Sequence, residues 1–178
     1  MRRLALFLLL LLMPSAGAVL LTPLSIPELS ARAQLIVQGT VLSTSCLRDP
    51  EGRIYTQVKV RVMEAWKGTP AADPLIIVHG GGRVAEERSE VPGQVEYRGG
   101  ESFVAFLVLN QRGEAVTIGL AQGKFRIWKD ETTGTFLVRN PFHGSGSVPA
   151  ASGESLRRQA VAPLTLGSLK AQVIAKEK

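Results

Sequence analysis

The sequence predicts an all-β domain with short flanking helices, and three observations carry that prediction. Residues 53–66, RIYTQVKVRVMEAW, alternate with a period of two. Ile54, Thr56, Val58, Val60 and Val62 fall on one side and Tyr55, Gln57, Lys59, Arg61 and Met63 on the other, the pattern of a long antiparallel strand with one buried face. Residues 102–109, SFVAFLVL, are almost continuously apolar, as in a central strand covered on both sides. The remaining segments are short and punctuated by glycine and proline, the residues that turns require.

Residues 1–18 are set apart from the fold. Arg2 and Arg3 precede an apolar run over 4–13, and Pro14-Ser15 breaks it before Ala16-Gly17-Ala18. This is the layout of an export signal cut after Ala18. The apolar run rises only about 15 Å as a helix, half of a bilayer core. The mature chain of about 160 residues holds one domain with a real core. Loss of Arg2 and Arg3 lowers the formal charge from +6 to +4. That surplus is scattered and interrupted by Glu86, Glu87 and Glu90, so it favours solubility and is no nucleic-acid footprint.

The elements follow in order. Ser25 caps a short helix, with Pro27 in its first turn and Glu28 at the capping-box position. Leu29 and Ala33 face inward. Residues 34–44, QLIVQGTVLST, make a strand in which Gly39 marks a bulge or bend. Arg48-Asp49-Pro50-Glu51-Gly52 is a turn that joins it to 53–66 as a hairpin. A loop over 67–74 leads to a short apolar strand at 75–78. Residues 83–100, polar and glycine-bearing, are too long for a plain connection and are read as a functional loop. After 102–109 come short strands at 114–120, 124–128 and 135–139. Residues 140–153 have linker composition, and 166–178 form a short amphipathic helix on Leu166, Leu169, Val173 and Ile174.

Little in the chain points to a reaction. His79-Gly80-Gly81-Gly82 after an apolar strand is the placement of an oxyanion-hole motif in lipases and esterases. That chemistry needs a G-x-S-x-G elbow. The nearest approach, Gly144-Ser145-Gly146-Ser147, lacks the spacing, so the glycines are better read as backbone that turns with positive φ or packs closely. Two histidines and one cysteine have no metal-ligand spacing, and the turn at 48–52 lacks the series of a calcium loop. Cys46, alone, is read as structural. Tyr55, Lys59 and Arg61, with Lys124, Arg126 and Trp128, have the residue types of a single-strand nucleic-acid face. The export signal and an aromatic content of 6% favour a solvated strand face instead.

Three stretches carry a resemblance: LSARAQLIVQGTVLS, RIYTQVKVRVMEAWKG, and VPGQVEYRGGESFVAFL leading to IGLAQGKFRI. A helix, a GTV strand, a long strand ending in EAWKG and a buried FVAFL strand resemble exported bacterial proteins related to the netrin-like, or TIMP-like, OB-fold module, over roughly 28–128. The resemblance implies a five- to six-stranded Greek-key barrel flanked by helices, binding other proteins, a metalloprotease among them, without a cofactor. Inhibitors of that family bind the catalytic zinc through an N-terminal cysteine. Here the expected mature terminus is Val19, and no inhibitory residue carries over.

The expected organisation is therefore a signal at 1–18, a small OB-like barrel with its N-terminal helix at 19–140, and a linker with a C-terminal helix at 141–178. The expected function is a non-enzymatic module, secreted or periplasmic, that recognises a protein or envelope component through 79–100. His79, Gly81, Arg83, Arg88, Tyr97 and Arg98 are the candidate contact residues. No catalytic, metal or cofactor-binding residue is assigned, and no nucleic-acid partner is expected. The alternatives are a small hydrolase or peptidase using His79, which needs an acid or nucleophile within hydrogen-bond reach, and a purely structural envelope protein.

Overall fold

The computed structural model describes residues 22–144 and 163–175. The expected export signal and most of the expected linker lie outside these residues.

Two 14-residue strands, β1 (Leu35–Arg48) and β2 (Ile54–Lys67), form the hairpin that the 48–52 turn predicts. β3 (Leu75–Gly80) pairs with β2, and β6 (Ser102–Leu109) pairs with residues 35–40 of β1. β7 (Ala115–Thr117) lies between β3 and β6, parallel to the former and antiparallel to the latter. The order β1-β2-β3-β7-β6 thus returns to β1, closing a five-stranded barrel with no free edge. β8 (Lys124–Lys129) and β9 (Phe136–Arg139) extend the sheet from β6. A small separate hairpin, β4 (Gly82–Val84) and β5 (Glu87–Ser89), stands beside the barrel. The described residues form a small OB-like barrel with added strands and two short α-helices.

Closure needs strong bending, and bulges in the β1–β2 ladder supply it. The register shifts between Gln38 and Gly39 and again between Val41 and Ser43. A β-carbon on Gly39 would stand 2.8 Å from the Arg61 carbonyl oxygen, so glycine is required where the two backbones close up. The same shifts rotate β2. Val58 and Val60 are fully buried as the alternation predicts, Val62 packs half-buried at the edge of the same core, and beyond the shift Trp66 packs into the outer core.

Two cores share the barrel wall. Leu35, Val37, Val58, Val60, Ile77, Phe103 and Leu107 fill the lumen. Ile36, Val104 and Phe106, the alternate residues of β1 and β6, face outward under a second layer. That layer is made by α1 (Ile26–Arg32), α2 (Leu166–Ile174), β8 and β9, through Leu29, Leu169, Val173, Phe125 and Val138. Each fully buried aliphatic or aromatic side chain contributes about 1.5–3 kcal/mol, so β6, buried on both faces, anchors both cores.

The helices start where the sequence places them. In α1 the Ser25 hydroxyl accepts from the Glu28 amide while the Glu28 carboxylate accepts from the Ser25 amide at 2.8 Å, a complete capping box. Thr165 caps α2 by accepting from the Ser168 amide at 3.0 Å. Leu169 and Val173 bury, but Ile174 faces solvent. The C-terminal helix is part of the same packed body as the barrel. No helix among the described residues is long and apolar enough to cross a membrane.

Several expected boundaries differ, three of them with structural consequences. β1 runs on to Arg48, because Cys46 and Leu47 pair with Thr56 and Tyr55. The strand expected at 114–120 is short, because Gly119 and Leu120 take positive φ and turn the chain into a 3-10 helix (Leu120–Gly123). Residues 83–100 are not an open loop. They hold the β4–β5 hairpin and then an extended segment in which Val95 and Tyr97 join the lumen core.

Candidate functional site

The expected contact residues gather at one end of the barrel but serve different purposes. His79 is on β3, aligned with Leu75 and Ile77 that point into the lumen, and is half-buried. Its ring stacks near Tyr97 with centroids 6.3 Å apart. Nδ1 lies 2.9 Å from the Gly80 carbonyl oxygen. A carbonyl only accepts, so the proton of a neutral ring sits on Nδ1. No carboxylate, hydroxyl or thiol is within hydrogen-bond distance of this imidazole among the described residues. Burial holds its pKa below the usual histidine value.

Gly81 and Gly82 have a structural task. Their φ angles are +81° and +140°, conformations that glycine adopts without penalty. The Gly81 amide donates to the Ile54 carbonyl at 3.0 Å, and the Gly81 carbonyl accepts from Thr56 Oγ1 at 2.8 Å. Its amide is therefore committed to pairing and is not an open oxyanion donor. A β-carbon on Gly82 would stand 2.7 Å from both Cys46 Sγ and Thr56 Oγ1. Cys46 is a half-buried free thiol, with Sγ 3.5 Å from Thr56 Oγ1, packed beneath this crossing.

From that crossing the β4–β5 hairpin projects. Arg83 and Arg88 stand opposite each other and are exposed, each with its own carboxylate, Glu86 at 3.5 Å and Glu90 at 2.6 Å. The hairpin turns at Ala85 with φ +53°, a conformation that costs a non-glycine residue about 1–2 kcal/mol. Arg48 of β1 pairs with Glu87 and ties the hairpin to the barrel. Beneath it lies a 590 Å3 surface cavity lined by residues that include His79, Gly81, Arg88, Val91 and Glu96.

Tyr97 is buried, so it is not a surface contact. It packs edge-on against Phe103 at 5.0 Å, and its hydroxyl shares a 2.7 Å hydrogen bond with Thr117 Oγ1. Burial raises its phenol well above the usual range, so it stays protonated and acts as an anchor. Arg98 is exposed and pairs with Glu96 at 3.1 Å.

A charged cluster beside Tyr97 has no counterpart among the expected site residues. Lys124 Nζ lies 4.7 Å from the Tyr97 ring centroid and 2.6 Å from Glu101 Oε2. It also donates to the Glu96 carbonyl. Burial lowers the Lys124 pKa despite the Glu101 contact. Lys124 and Glu101 are separated by 23 residues, and only the β6–β8 pairing unites them. Lys124, Arg126 and Trp128 do share one side of β8, but β8 is not a sheet neighbour of β2. The basic and aromatic residues of the two strands therefore do not form one face.

The buried histidine gives a pH prediction. His79 protonates in the unfolded chain near pH 6.5 but more reluctantly when folded. The unfolded state thus takes up protons first, and stability falls as the pH drops through this window. Burial acts in the same direction on His143. The urea midpoint is expected to decrease from pH 7.5 to 5, and His79→Phe, which keeps the stacking, to flatten that decrease. An identical pH profile in the variant would show that His79 titrates alike in both states.

The fold and the projecting hairpin define the class as a small OB-like barrel with an appended charged loop. The chain matches no protein-family model and no curated protein sequence.

Proposed function

We propose that the chain is an exported, non-enzymatic binding module that recognises a protein or envelope component through the β4–β5 hairpin and the turn after it. The observation that carries this reading is the hairpin itself. It forms its own two-stranded sheet outside the barrel ladder, and Arg83, Glu86, Glu87 and Arg88 are all exposed on it. Neither hydrophobic core includes a residue of 82–89. A strained, exposed hairpin tied down by paired charges adds little to folding and presents a shaped polar surface. Within it Arg83 and Arg88 are the contact residues, with Val91 and Arg98 flanking them. His79, Gly81 and Tyr97 support the surface from below. Export rests on the apolar leader and its small-residue cleavage site. The resemblance to netrin-like modules makes an extracytoplasmic protein, a metalloprotease among them, the partner class to try first.

Exchange of residues 83–90 for a short Gly-Ser linker tests this. The barrel is expected to keep its circular dichroism and cooperative unfolding, while the variant loses the envelope proteins that the wild type captures in a pull-down. Unchanged capture by a folded variant would remove the hairpin from recognition.

A further inference from the structure

The solvent side of β8 and β9 carries charge that the fold leaves unbalanced. Arg126 and Arg139 stand directly opposite each other in the ladder, so their β-carbons are about 5 Å apart on one face, where like charges destabilise the pair. Arg83 and Arg88 are opposed in the same way, but each of them has a carboxylate. Arg139 has none among the described residues. Its guanidinium instead lies over Trp128, 5.2 Å from the ring centroid. Among the described residues Arg126 approaches only one carboxylate, Glu101, at 3.8 Å, and that carboxylate is held by Lys124 at 2.6 Å.

Two cavities meet on this face. One, of 650 Å3, includes Arg98, Glu101 and Lys124 in its wall, and the other, of 360 Å3, includes Arg139 and Asn140. Both include Glu96, Lys124 and Arg126. Their combined lining has four cations against two carboxylates. Lys124 and Glu101 neutralise each other, and the Arg98–Glu96 pair, with both side chains 76% exposed, is of the kind that opens at little cost. The free cationic capacity is thus that of Arg126 and Arg139, with Arg98 available as a third donor.

We infer that this face is a binding site for a phosphate group, held between Arg126 and Arg139 with Arg98 closing over it. Each guanidinium presents a planar fork of N–H donors. A tetrahedral phosphate offers several oxygen edges and engages two or three such forks at once, whereas a carboxylate offers one edge. Trp128 holds Arg139 in place before the anion arrives, which lowers the ordering cost of binding. Lys124 lies below as a positioning residue, fixed by Glu101. The phosphate comes from a soluble phosphorylated molecule or from a phospholipid headgroup. This site shares Arg98 with the hairpin surface but rests on Arg126 and Arg139, and it stands if the hairpin reading fails.

Titration of the purified protein with inorganic phosphate, at an ionic strength kept constant with chloride, tests the inference. The wild type is expected to show a saturable rise in Tm and saturable shifts of the Arg126 and Arg139 Nε–H resonances. Arg126→Gln and Arg139→Gln are each expected to weaken phosphate binding about tenfold or more, the scale of a lost charge-assisted contact. In chloride alone both variants should be at least as stable as the wild type, because the opposed charges are relieved. Lys59→Gln, which removes a charge from a strand that does not border the site, should leave the phosphate effect intact. Vesicles of phosphatidylglycerol, compared with phosphatidylcholine, distinguish the sources. Sedimentation with the former that is lost in the double variant assigns a lipid headgroup, and phosphate saturation without vesicle binding assigns a soluble ligand. Absence of a saturable phosphate effect, or an equal effect in the wild type and the Arg126→Gln/Arg139→Gln protein, would overturn the site.

Discussion

Replacing Lys124 with alanine is expected to destabilise the protein by about 3–5 kcal/mol, the cost of leaving a buried carboxylate without its partner. The Lys124 and Glu101 side chains are only 9% and 11% exposed and stand 2.6 Å apart. The substitution also removes the ammonium from above the Tyr97 ring, a contact worth about 0.5–2 kcal/mol. Arg126, 3.8 Å from the other Glu101 oxygen, partly replaces the lost charge and places the expected loss near the lower end. Burial, with Arg126 and Arg98 nearby, lowers the Lys124 pKa even with Glu101 beside it, and a buried ion pair of this kind returns little net stability for the cost of taking two charges out of water. The pair therefore fixes geometry more than it stabilises. Lys124→Met combined with Glu101→Gln is accordingly expected to lie within about 1 kcal/mol of the wild type. The carboxamide oxygen introduced by Glu101→Gln still accepts from the Arg98 amide, which the Glu101 carboxylate serves at 3.2 Å. A double-mutant cycle in urea measures the coupling. A loss below about 1 kcal/mol for Lys124→Ala would place the pair among solvated surface bridges.

What the sequence discloses here depends on the distance over which each feature is decided. The capping box of α1 involves residues three apart, and the burial of Val58 and Val60 follows from a period of two. Both are local, and both are legible. Trp66 has the same parity as Val58 and Val60 yet joins the outer core, because the register shift at Gln38/Gly39 leaves Met63 as an extra residue in β2. The segment around Val95 and Tyr97 also alternates, with Glu96 and Arg98 outward. It is brief, lies between Pro92-Gly93 and Gly99-Gly100 and joins no ladder, so it reads as loop although its apolar side closes the lumen. The candidate site divides in the same way. Gly81 and Gly82 announce a backbone constraint by their type, and the exposed charges of the hairpin announce a surface. The Lys124–Glu101 pair and the opposed Arg126 and Arg139 depend on how β6, β8 and β9 align, which no spacing in the chain fixes.

Gly82→Ala is expected to cost about 2–4 kcal/mol, because two penalties act at one position. The first is conformational: at φ +140° an L-residue is strained by about 1–3 kcal/mol. The second is steric, since the new methyl would stand 2.7 Å from Cys46 Sγ and Thr56 Oγ1, and overpacking of this kind costs about 1–3 kcal/mol. Thr56 has little room to retreat, because its hydroxyl donates to the Gly81 carbonyl at 2.8 Å. Two further variants separate the penalties. Gly52 has φ +82°, and a β-carbon there meets nothing within 4 Å, so Gly52→Ala isolates the conformational cost of an ordinary left-handed position at about 1 kcal/mol. Cys46→Ala in the Gly82→Ala background removes the sulfur from the collision and is expected to recover part of the steric loss. Urea unfolding of the four proteins reads these differences directly. If Cys46→Ala restores nothing, the sulfur is not what confines this glycine, and the hairpin is held at its base by backbone conformation and Thr56.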